Sequence, residues 1–163
     1  MKKTETILSK ILDEYELERN LAFWRFKNRK IVFTNGCFDI LHRGHIEYLA
    51  QARDKGDVLV IGLNTDASVR RLKGANRPVN PQEARAMVLA SLFFVDAVVF
   101  FDDDTPYELI KTIQPDVLIK GADYKAKNIV GYDIVTAKGG TVETIELIEG
   151  FSTTEVVERM RKN

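Results

Sequence analysis

The chain has 163 residues, of which 45% are hydrophobic and 29% charged, a balance typical of a globular domain large enough to bury a core. Lysine plus arginine and aspartate plus glutamate both number 24, so the composition does not support a nucleic-acid coat protein or a membrane-surface protein. No hydrophobic run approaches the ~20 residues of a membrane span, and the first residues lack the apolar stretch of a signal peptide.

The first 28 residues differ from the rest of the chain in their hydrophobic pattern. Hydrophobic side chains recur there at helical spacing, and aromatic side chains follow them. The pattern predicts an N-terminal helical arm over residues 1–28, ahead of an α/β domain over residues 29–163. Two interpretations of the arm are open: a helix packed on the domain, or a contact between subunits, because a wide aromatic surface needs a cover. The residues concerned are Ile7, Leu8, Ile11, Leu12, Tyr15, Leu21, Phe23, Trp24 and Phe26.

From residue 29 onward, short hydrophobic runs alternate with helical patterns. The runs are rich in Val, Ile and Phe, as in strands that are buried on both faces. Strands separated by helices require crossover connections, which predicts an α/β fold with a five-stranded parallel sheet and helices on both faces. The predicted strands are residues 30–34, 58–63, 97–101, 117–120 and 141–145. The predicted helices are residues 44–53, 66–72, 81–92, 106–113, 132–138 and 154–161.

The loops after the strands are the candidate ligand-binding segments. In open parallel sheets, ligands bind beyond the carboxyl ends of the strands, where these loops meet. The loops in question are residues 35–45, 64–66, 102–105, 120–125 and 149–154.

Two histidines stand at the first of these strand-to-helix junctions. His42 and His45 are the only histidines of the chain, and they flank Gly44, where a ligand can approach the backbone closely. Residues at i and i+3 share one helix face, and the first N–H groups of a helix attract anions. A polyphosphate held between two imidazoles is therefore one interpretation, and a structural role for both rings is the other. A zinc site needs three or four ligands and is disfavoured.

The loop before the histidines carries three further candidates. Gly36 permits an unusual backbone angle or a close phosphate, and Asn35 is either a ligand or a turn residue. Asp39 is either a cap of the coming turn or a ligand of a substrate hydroxyl or Mg²⁺. Cys37, the single cysteine, has no disulfide partner, which fits a reducing compartment, and we interpret it as small apolar filler.

A basic segment follows the second strand. Lys73 and Arg77 belong to a glycine-containing loop of the kind that closes over a triphosphate and stabilises a leaving pyrophosphate. The alternative is a solvated, charged helix face, which we expect for Arg70 and Arg71.

The remaining loops offer a second set of polar residues. Lys120 follows the fourth strand and is a candidate phosphate ligand, and Asp123 is a candidate ligand of a sugar hydroxyl. The segment 152–154, after Gly150, opens the last helix, where hydroxyl groups either cap the helix or receive a phosphate. The acidic residues 102–104 precede a helix, whose positive end they are expected to stabilise.

Taken together, these motifs resemble a known family. Gly36-Cys37-Phe38-Asp39, followed by His42-Arg43-Gly44-His45 and by Ser152-Thr153-Thr154, is similar to the nucleotidyltransferase superfamily with the HxGH signature. The segments 33–39, 70–78, 120–124 and 151–154 resemble the adenylyltransferases of ADP-heptose synthesis in their stand-alone form. The resemblance runs from about residue 30 to residue 161.

The resemblance implies a fold and a reaction. It implies a Rossmann-like sheet and the transfer of AMP from ATP to D-glycero-β-D-manno-heptose 1-phosphate, with Mg²⁺ carried mainly by the phosphates and no metal site on the protein. His42, His45 and Lys73 would be catalytic. The implied substrate- and nucleotide-binding residues are Asn35, Gly36, Phe38, Asp39, Gly44, Asp66, Arg77, Arg85, Lys120, Gly121, Asp123, Gly150, Ser152, Thr153 and Thr154.

Two positions depart from the related glycerol-phosphate cytidylyltransferases. Phe93 and Leu147 stand where those enzymes carry arginine, which argues against an enzyme of that type without identifying adenine. A cytidylyltransferase or another small nucleotidyltransferase acting on a different phosphorylated acceptor stays an alternative, and a non-catalytic nucleotide-binding module is a second one. We expect a cytoplasmic homodimer that acts on ATP and a sugar 1-phosphate, with no nucleic-acid or membrane partner.

Overall fold

The structure, a computed structural model, describes residues 2–122, 125–146 and 157. Of the predicted elements, the helix at 154–161 lies outside these residues, apart from a single helical position. No helix within them is both long and apolar enough to cross a bilayer.

A single parallel sheet organises the described chain. Its order is β1-β4-β3-β2-β5-β6, and every neighbouring pair is parallel. The five predicted strands are all present, close to their expected bounds. The strands are β1 (Ile11–Leu12), β2 (Ile31–Gly36), β3 (Val58–Asn64), β4 (Ala97–Phe101), β5 (Val117–Gly121) and β6 (Thr141–Ile145).

The sixth strand corrects the predicted five-stranded sheet. β1 lies in the predicted helical arm and pairs with β4, with Ile11 opposite Val98. The hydrophobic spacing there suggested one continuous helix, but Asp13 caps a new helix with a hydrogen bond from the backbone of Glu16. Two residues are too few to display the alternation of a strand, so only the neighbouring strand reveals it.

Helices surround the sheet and follow the predicted order. The bounds of the five helices that had been predicted individually, from residue 43 onward, differ from the predicted ones by at most one residue at each end. The helices are α1 (Lys3–Leu8), α2 (Glu14–Phe26), α3 (Arg43–Arg53), α4 (Asp66–Lys73), α5 (Gln82–Ser91), α6 (Tyr107–Ile113) and α7 (Tyr132–Ala137), with a 3-10 turn at Ala126–Asn128.

The core lies on both faces of the sheet. All seven residues of β3 are buried, as expected for a strand covered on two sides. Successive residues of β2 enter different clusters: Val32 packs with Leu59 and Ile61 on one face, and Phe33 packs with Val60 on the other. The alternation of these side chains explains why one strand serves two cores.

The predicted arm packs on the domain through one face of α2. Leu17 and Leu21 are buried in the cluster that contains Phe33, whereas Phe23 and Phe26 are exposed. The interpretation of the arm as a helix packed on the domain therefore holds for one face of α2. The boundary at residue 28 and the subunit contact stay predictions.

The strand order reverses next to β2. β3 lies on one side of β2, and β5, which comes much later in the chain, lies on the other. The connections after β2 and β5 leave the sheet in different directions and open a crevice at the carboxyl ends of these strands. The loop with both histidines begins at this crevice.

Candidate active site

The two histidines form a stacked pair at the start of α3. His42 is the N-cap residue, with extended backbone angles of φ −140° and ψ 172°, and His45 lies in the first turn. Their ring centroids are 3.8 Å apart, with an interplanar angle of 25°. The pair stands where the first N–H groups of a helix lack intrahelical acceptors, so an anion here meets two imidazoles and a positive helix end.

His45 is held in its neutral form by its surroundings. Burial lowers its pKa to about 4, and the positive charges of His42 and Lys73 act in the same direction, against an opposing hydrogen bond with the backbone of Ile40. Its Nδ1 atom is buried without a hydrogen-bond partner within the described chain. A buried, unsatisfied ring nitrogen carries a free-energy cost that a ligand can remove.

Phe38 supports the histidine pair from the side. Its ring meets His45 edge-on, with centroids 5.4 Å apart. The same ring explains Gly36, because a Cβ atom there would lie 3.0 Å from Cε2 of Phe38. The predicted ligands Gly36 and Phe38 thus also pack against each other.

A cleft of about 360 Å³ opens beside the histidine loop. Lys73, the last residue of α4, and Lys120, near the end of β5, both line it, and Nζ of Lys120 donates to the backbone oxygen of Asn35 at 3.4 Å. The start of the histidine loop, Lys73 and Lys120 therefore meet at one edge of the sheet, although neither histidine ring lines the cleft. The cleft is lined by Asn35, Gly36, Cys37, Asn64, Leu72, Lys73, Phe101, Asp104, Thr105, Pro106, Lys120, Asn128, Ile129 and Val130.

Two asparagines form polar parts of the cleft wall. Oδ1 of Asn35 is buried and accepts no hydrogen bond from any described residue. Asn64, which belongs to the candidate loop 64–66 but was not named as a site residue, is 4% exposed and donates from Nδ2 to Oγ of Ser68 at 2.9 Å. The only available signal for Asn64 was its position at the end of a buried strand, which many structural residues share.

Asp39 and Arg77 face each other rather than the cleft. The Asp39 carboxylate accepts from Nη1 of Arg77 at 2.7 Å and from the backbone N–H groups of Val79 and Asn80. These contacts outweigh the effect of burial and hold the pKa of Asp39 below its ordinary value. The predicted roles of Asp39 and Arg77 as substrate ligands find no support in this geometry, since their charges are already matched.

Arg85 and Asp66 are paired in the same way. The Arg85 side chain is fully buried and donates from Nη2 to Oδ1 of Asp66 at 2.7 Å and from Nη1 to the backbone oxygen of Cys37 at 2.6 Å. The predicted contacts of Arg85 and Asp66 with substrate therefore also lack support. The structure pairs these two residues with each other, and their contacts with substrate stay predictions.

Arg71 and the acidic turn 102–104 form a surface network beside the cleft. Nε of Arg71 lies 3.0 Å from Oδ1 of Asp104, and the same guanidinium contacts Asp102. Thr65 donates from its hydroxyl to Asp102. The acidic turn was expected to stabilise the start of α6, and it also fastens the end of α4, where Lys73 stands.

Neither a reactive thiol nor a metal-binding cluster is found among the described residues of the site. Burial raises the pKa of the Cys37 thiol, as expected for an unreactive side chain. The described residues contain no group of three or more histidine, cysteine, aspartate or glutamate side chains placed to hold a metal ion. The predicted ligands Asp123, Gly150, Ser152, Thr153 and Thr154 lie outside the described residues.

Family and sequence comparisons agree on one class of protein. The family model described as cytidylyltransferase-like matches residues 33–159. The bifunctional protein HldE of Wolinella succinogenes is 55% identical over 152 residues, which cover 93% of this chain and 31% of that protein. The bifunctional protein HldE of Campylobacter jejuni (serotype O:2) is 56% identical over 144 residues, covering 88% of this chain and 30% of that protein. The chain thus spans about a third of the length of these relatives.

Solved structures share the fold. A lipopolysaccharide core biosynthesis protein from Thermoplasma volcanium is 26% identical, with a TM-score of 0.58 over 74% of this chain and 97% of that chain. The pantoate-β-alanine ligase of Francisella tularensis has the same TM-score of 0.58 at 15% identity, over 93% of this chain and 76% of that chain, and supports the fold alone.

Proposed function

The chain belongs to the cytidylyltransferase-like family, and we propose on that basis that it is an adenylyltransferase acting on a sugar phosphate. It transfers AMP from ATP to D-glycero-β-D-manno-heptose 1-phosphate, giving ADP-heptose and pyrophosphate for lipopolysaccharide core or surface-glycan synthesis. The single observation that carries nucleotidyl transfer is the stacked His42 and His45 pair at a helix start, beside Lys73 and a polar cleft.

Three likenesses support the choice of acceptor. The relatives are named bifunctional, and we propose that this chain carries one of their two functions. A structural neighbour with 26% identity is a lipopolysaccharide core biosynthesis protein. The motifs at residues 33–39 and 70–78 resemble those of the ADP-heptose-forming adenylyltransferases, which supports the same acceptor.

The proposed reaction is an in-line displacement at phosphorus. A phosphate oxygen of the acceptor forms a bond to the α-phosphorus of ATP, and the bond from that phosphorus to the α,β-bridging oxygen breaks. Pyrophosphate leaves with the bridging oxygen and its electron pair. Such reactions need positioning and charge stabilisation more than covalent help from the protein.

The histidines stabilise the charge that develops on the α-phosphate. In the free protein His45 is neutral at pH 7, because its pKa is about 4, and it keeps one N–H donor. A bound triphosphate brings negative charge between His45 and Lys73, which raises the pKa of the imidazole and strengthens the hydrogen bond. The positive charge on His45 that matches the triphosphate therefore develops only when the nucleotide binds.

Mg²⁺ enters this proposal with the nucleotide. The metal prefers to keep several waters and binds through substrate phosphates with few protein ligands, and when bound it neutralises phosphate charge. Lys73 and Lys120, which line the cleft, supply further positive charge to the phosphates. Oδ1 of Asn35, a buried acceptor, suits a sugar hydroxyl rather than a phosphate oxygen.

A pyrophosphate-release assay tests the proposal. Incubation of the purified chain with ATP, Mg²⁺ and heptose 1-phosphate is expected to release one pyrophosphate per ADP-heptose formed, with no release when the acceptor is omitted. CTP and glycerol 3-phosphate serve as the matched alternative substrates. Turnover with CTP but not with ATP would contradict the nucleotide assignment, and tight ATP binding without turnover on any acceptor would favour a non-catalytic binding module.

We propose in addition that the protein is a cytoplasmic homodimer. The support for the dimer is a set of exposed aromatic side chains: Phe93 is 92%, Phe26 79% and Tyr15 72% exposed. Large exposed apolar side chains are typical of contact surfaces. Sedimentation equilibrium is expected to give twice the chain mass of 18.5 kDa, and a monomer at micromolar concentration would contradict the dimer.

A further inference from the structure

The turn between β2 and α3 has an unusual backbone. Phe38 adopts φ 43°, in the left-handed region that side chains other than glycine rarely enter. Such a conformation persists only when surrounding contacts fix it. Phe38 is also the residue whose ring meets His45. The contacts that hold this turn therefore also fix the ring that lies against His45.

The first contact lies directly after Phe38. The side chain of Asp39 is 4% exposed and receives hydrogen bonds from Arg77 and from the backbone of Val79 and Asn80. In return, Nδ2 of Asn80 donates to the backbone oxygen of Asp39 at 2.7 Å. The turn is thereby fastened to the segment 77–80 through both the side chain and the main chain of one residue.

The second contact lies directly before Phe38. Arg85 donates from Nη1 to the backbone oxygen of Cys37 at 2.6 Å and from Nε to the backbone oxygen of Asn80 at 3.1 Å. Its Nη2 is paired with Asp66 at 2.7 Å. One planar guanidinium thus links the turn, the segment 77–80 and the start of α4, a geometry that a lysine ammonium does not reproduce.

The charges in this network are balanced. Asp39 is matched by Arg77 and Asp66 by Arg85. A triphosphate that recruited Arg77 would leave the buried Asp39 carboxylate without its ion-pair partner, which is strongly unfavourable. Recruitment of Arg85 would draw a fully buried guanidinium away from Asp66 and from the backbone oxygen of Cys37. The network is therefore suited to holding loops and poorly suited to holding a ligand.

We propose that Asp39 and Arg85 are positioning residues that fix the Phe38 turn, so that its ring keeps His45 stacked on His42 in the geometry that nucleotidyl transfer needs. The inference rests on the proposed function and deepens it. It assigns to these two residues a role different from the substrate contacts that the family resemblance implies.

Arg85→Lys is the primary test, with Arg53→Lys as its matched control. Arg53 also joins a carboxylate, Asp96 at 3.1 Å, to a backbone oxygen, that of Gly56, but it lies at the far end of α3. We expect Arg85→Lys to lower kcat by roughly tenfold to 10²-fold with KM for ATP changed less than about threefold, because a misplaced catalytic group affects the transition state most. Arg53→Lys is expected to leave both unchanged.

A second readout needs no substrate. Because the chain has only two histidines, an NMR titration of the imidazole C–H signals gives two curves. In the wild type one midpoint is expected at about 4, for His45, which faces His42, Lys73, the Ile40 backbone and the Phe38 ring. In Arg85→Lys this midpoint is expected to rise toward the ordinary value of 6.5, because a loosened turn admits water to the ring. This measurement decides the positioning role even if the proposed reaction is wrong.

Phe38→Leu keeps the proposal testable if Arg85→Lys does not fold. The substitution leaves every hydrogen bond of Asp39 and Arg85 in place and removes only the aromatic ring, so it is expected to raise the His45 midpoint and lower kcat in the same way. An unchanged His45 titration in Phe38→Leu would overturn the proposal. So would an Arg85→Lys variant with a wild-type titration and a KM for ATP raised more than tenfold, since that pattern marks a direct ligand of ATP.

Discussion

His45→Ala is expected to lower kcat by roughly 10²-fold or more, as does removal of one preorganised hydrogen-bond donor from a transition state. His45 lies in the first turn of α3, stacked at 3.8 Å on His42, with a buried Nδ1 atom that has no hydrogen-bond partner among the described residues. In the proposed reaction, its ring donates a hydrogen bond to the phosphate on which charge develops. Steady-state pyrophosphate release, measured over a range of ATP concentrations, gives kcat and the KM for ATP separately.

The fold of this variant is expected to survive, because the ring lies at a helix start rather than in either core cluster. Circular dichroism and an unchanged thermal transition check this point. His45→Gln keeps an N–H donor of similar reach and is expected to retain more activity than His45→Ala. Wild-type turnover in the folded alanine variant would reduce the histidine pair to a structural role and remove the main support for nucleotidyl transfer.

Lys73→Ala is expected to lower kcat/KM by about 10²-fold, the second largest effect. Lys73 ends α4, lines the cleft and lies near enough to His45 to lower the pKa of that imidazole. Gly74 follows with φ 95° and open space around it, so the backbone after Lys73 is little constrained by packing. Loss of the ammonium removes charge that stabilises the phosphates and the leaving pyrophosphate.

The matched control is Lys111→Ala, which removes an exposed lysine that contacts Glu108 on α6. It is expected to leave kcat/KM unchanged, because exposed ion pairs of this kind contribute little to stability. Lys73→Arg retains the charge and is expected to recover part of the activity. Equal activity of Lys73→Ala and Lys111→Ala would show that Lys73 belongs to a solvated helix face, the alternative that its sequence pattern left open.

The main sheet was predictable because its strands are buried on both faces. Continuous runs such as Val58–Asn64 contain no polar residue before the last position, so the local sequence alone identifies them as buried strands. β1 was not predictable in this way. Its two residues become a strand only because β4 offers an edge to pair with, which is a property of the assembled sheet.

The candidate site also contains some features that the sequence predicts and others that only the fold reveals. The positions of His42, His45, Lys73 and Lys120 follow from the rule that loops meet at the carboxyl ends of parallel strands. The partners of Asp39, Arg77 and Arg85 do not follow from any such rule. A carboxylate or guanidinium next to a phosphate-binding motif has the same identity whether it binds the ligand or holds the loop.

Periodicity and turn chemistry act over neighbouring residues, so the fold class, the order of the main elements and the loop in which two histidines flank a glycine were predictable from the amino-acid sequence. The tertiary structure alone decided which charges are already matched. Asp39 meets Arg77 across 38 positions of sequence, and Arg85 meets the backbone of Cys37 across 48. Pairing over such separations depends on how the strands and loops are brought together, and the burial of Asp39 and Arg85 exists only in the folded chain.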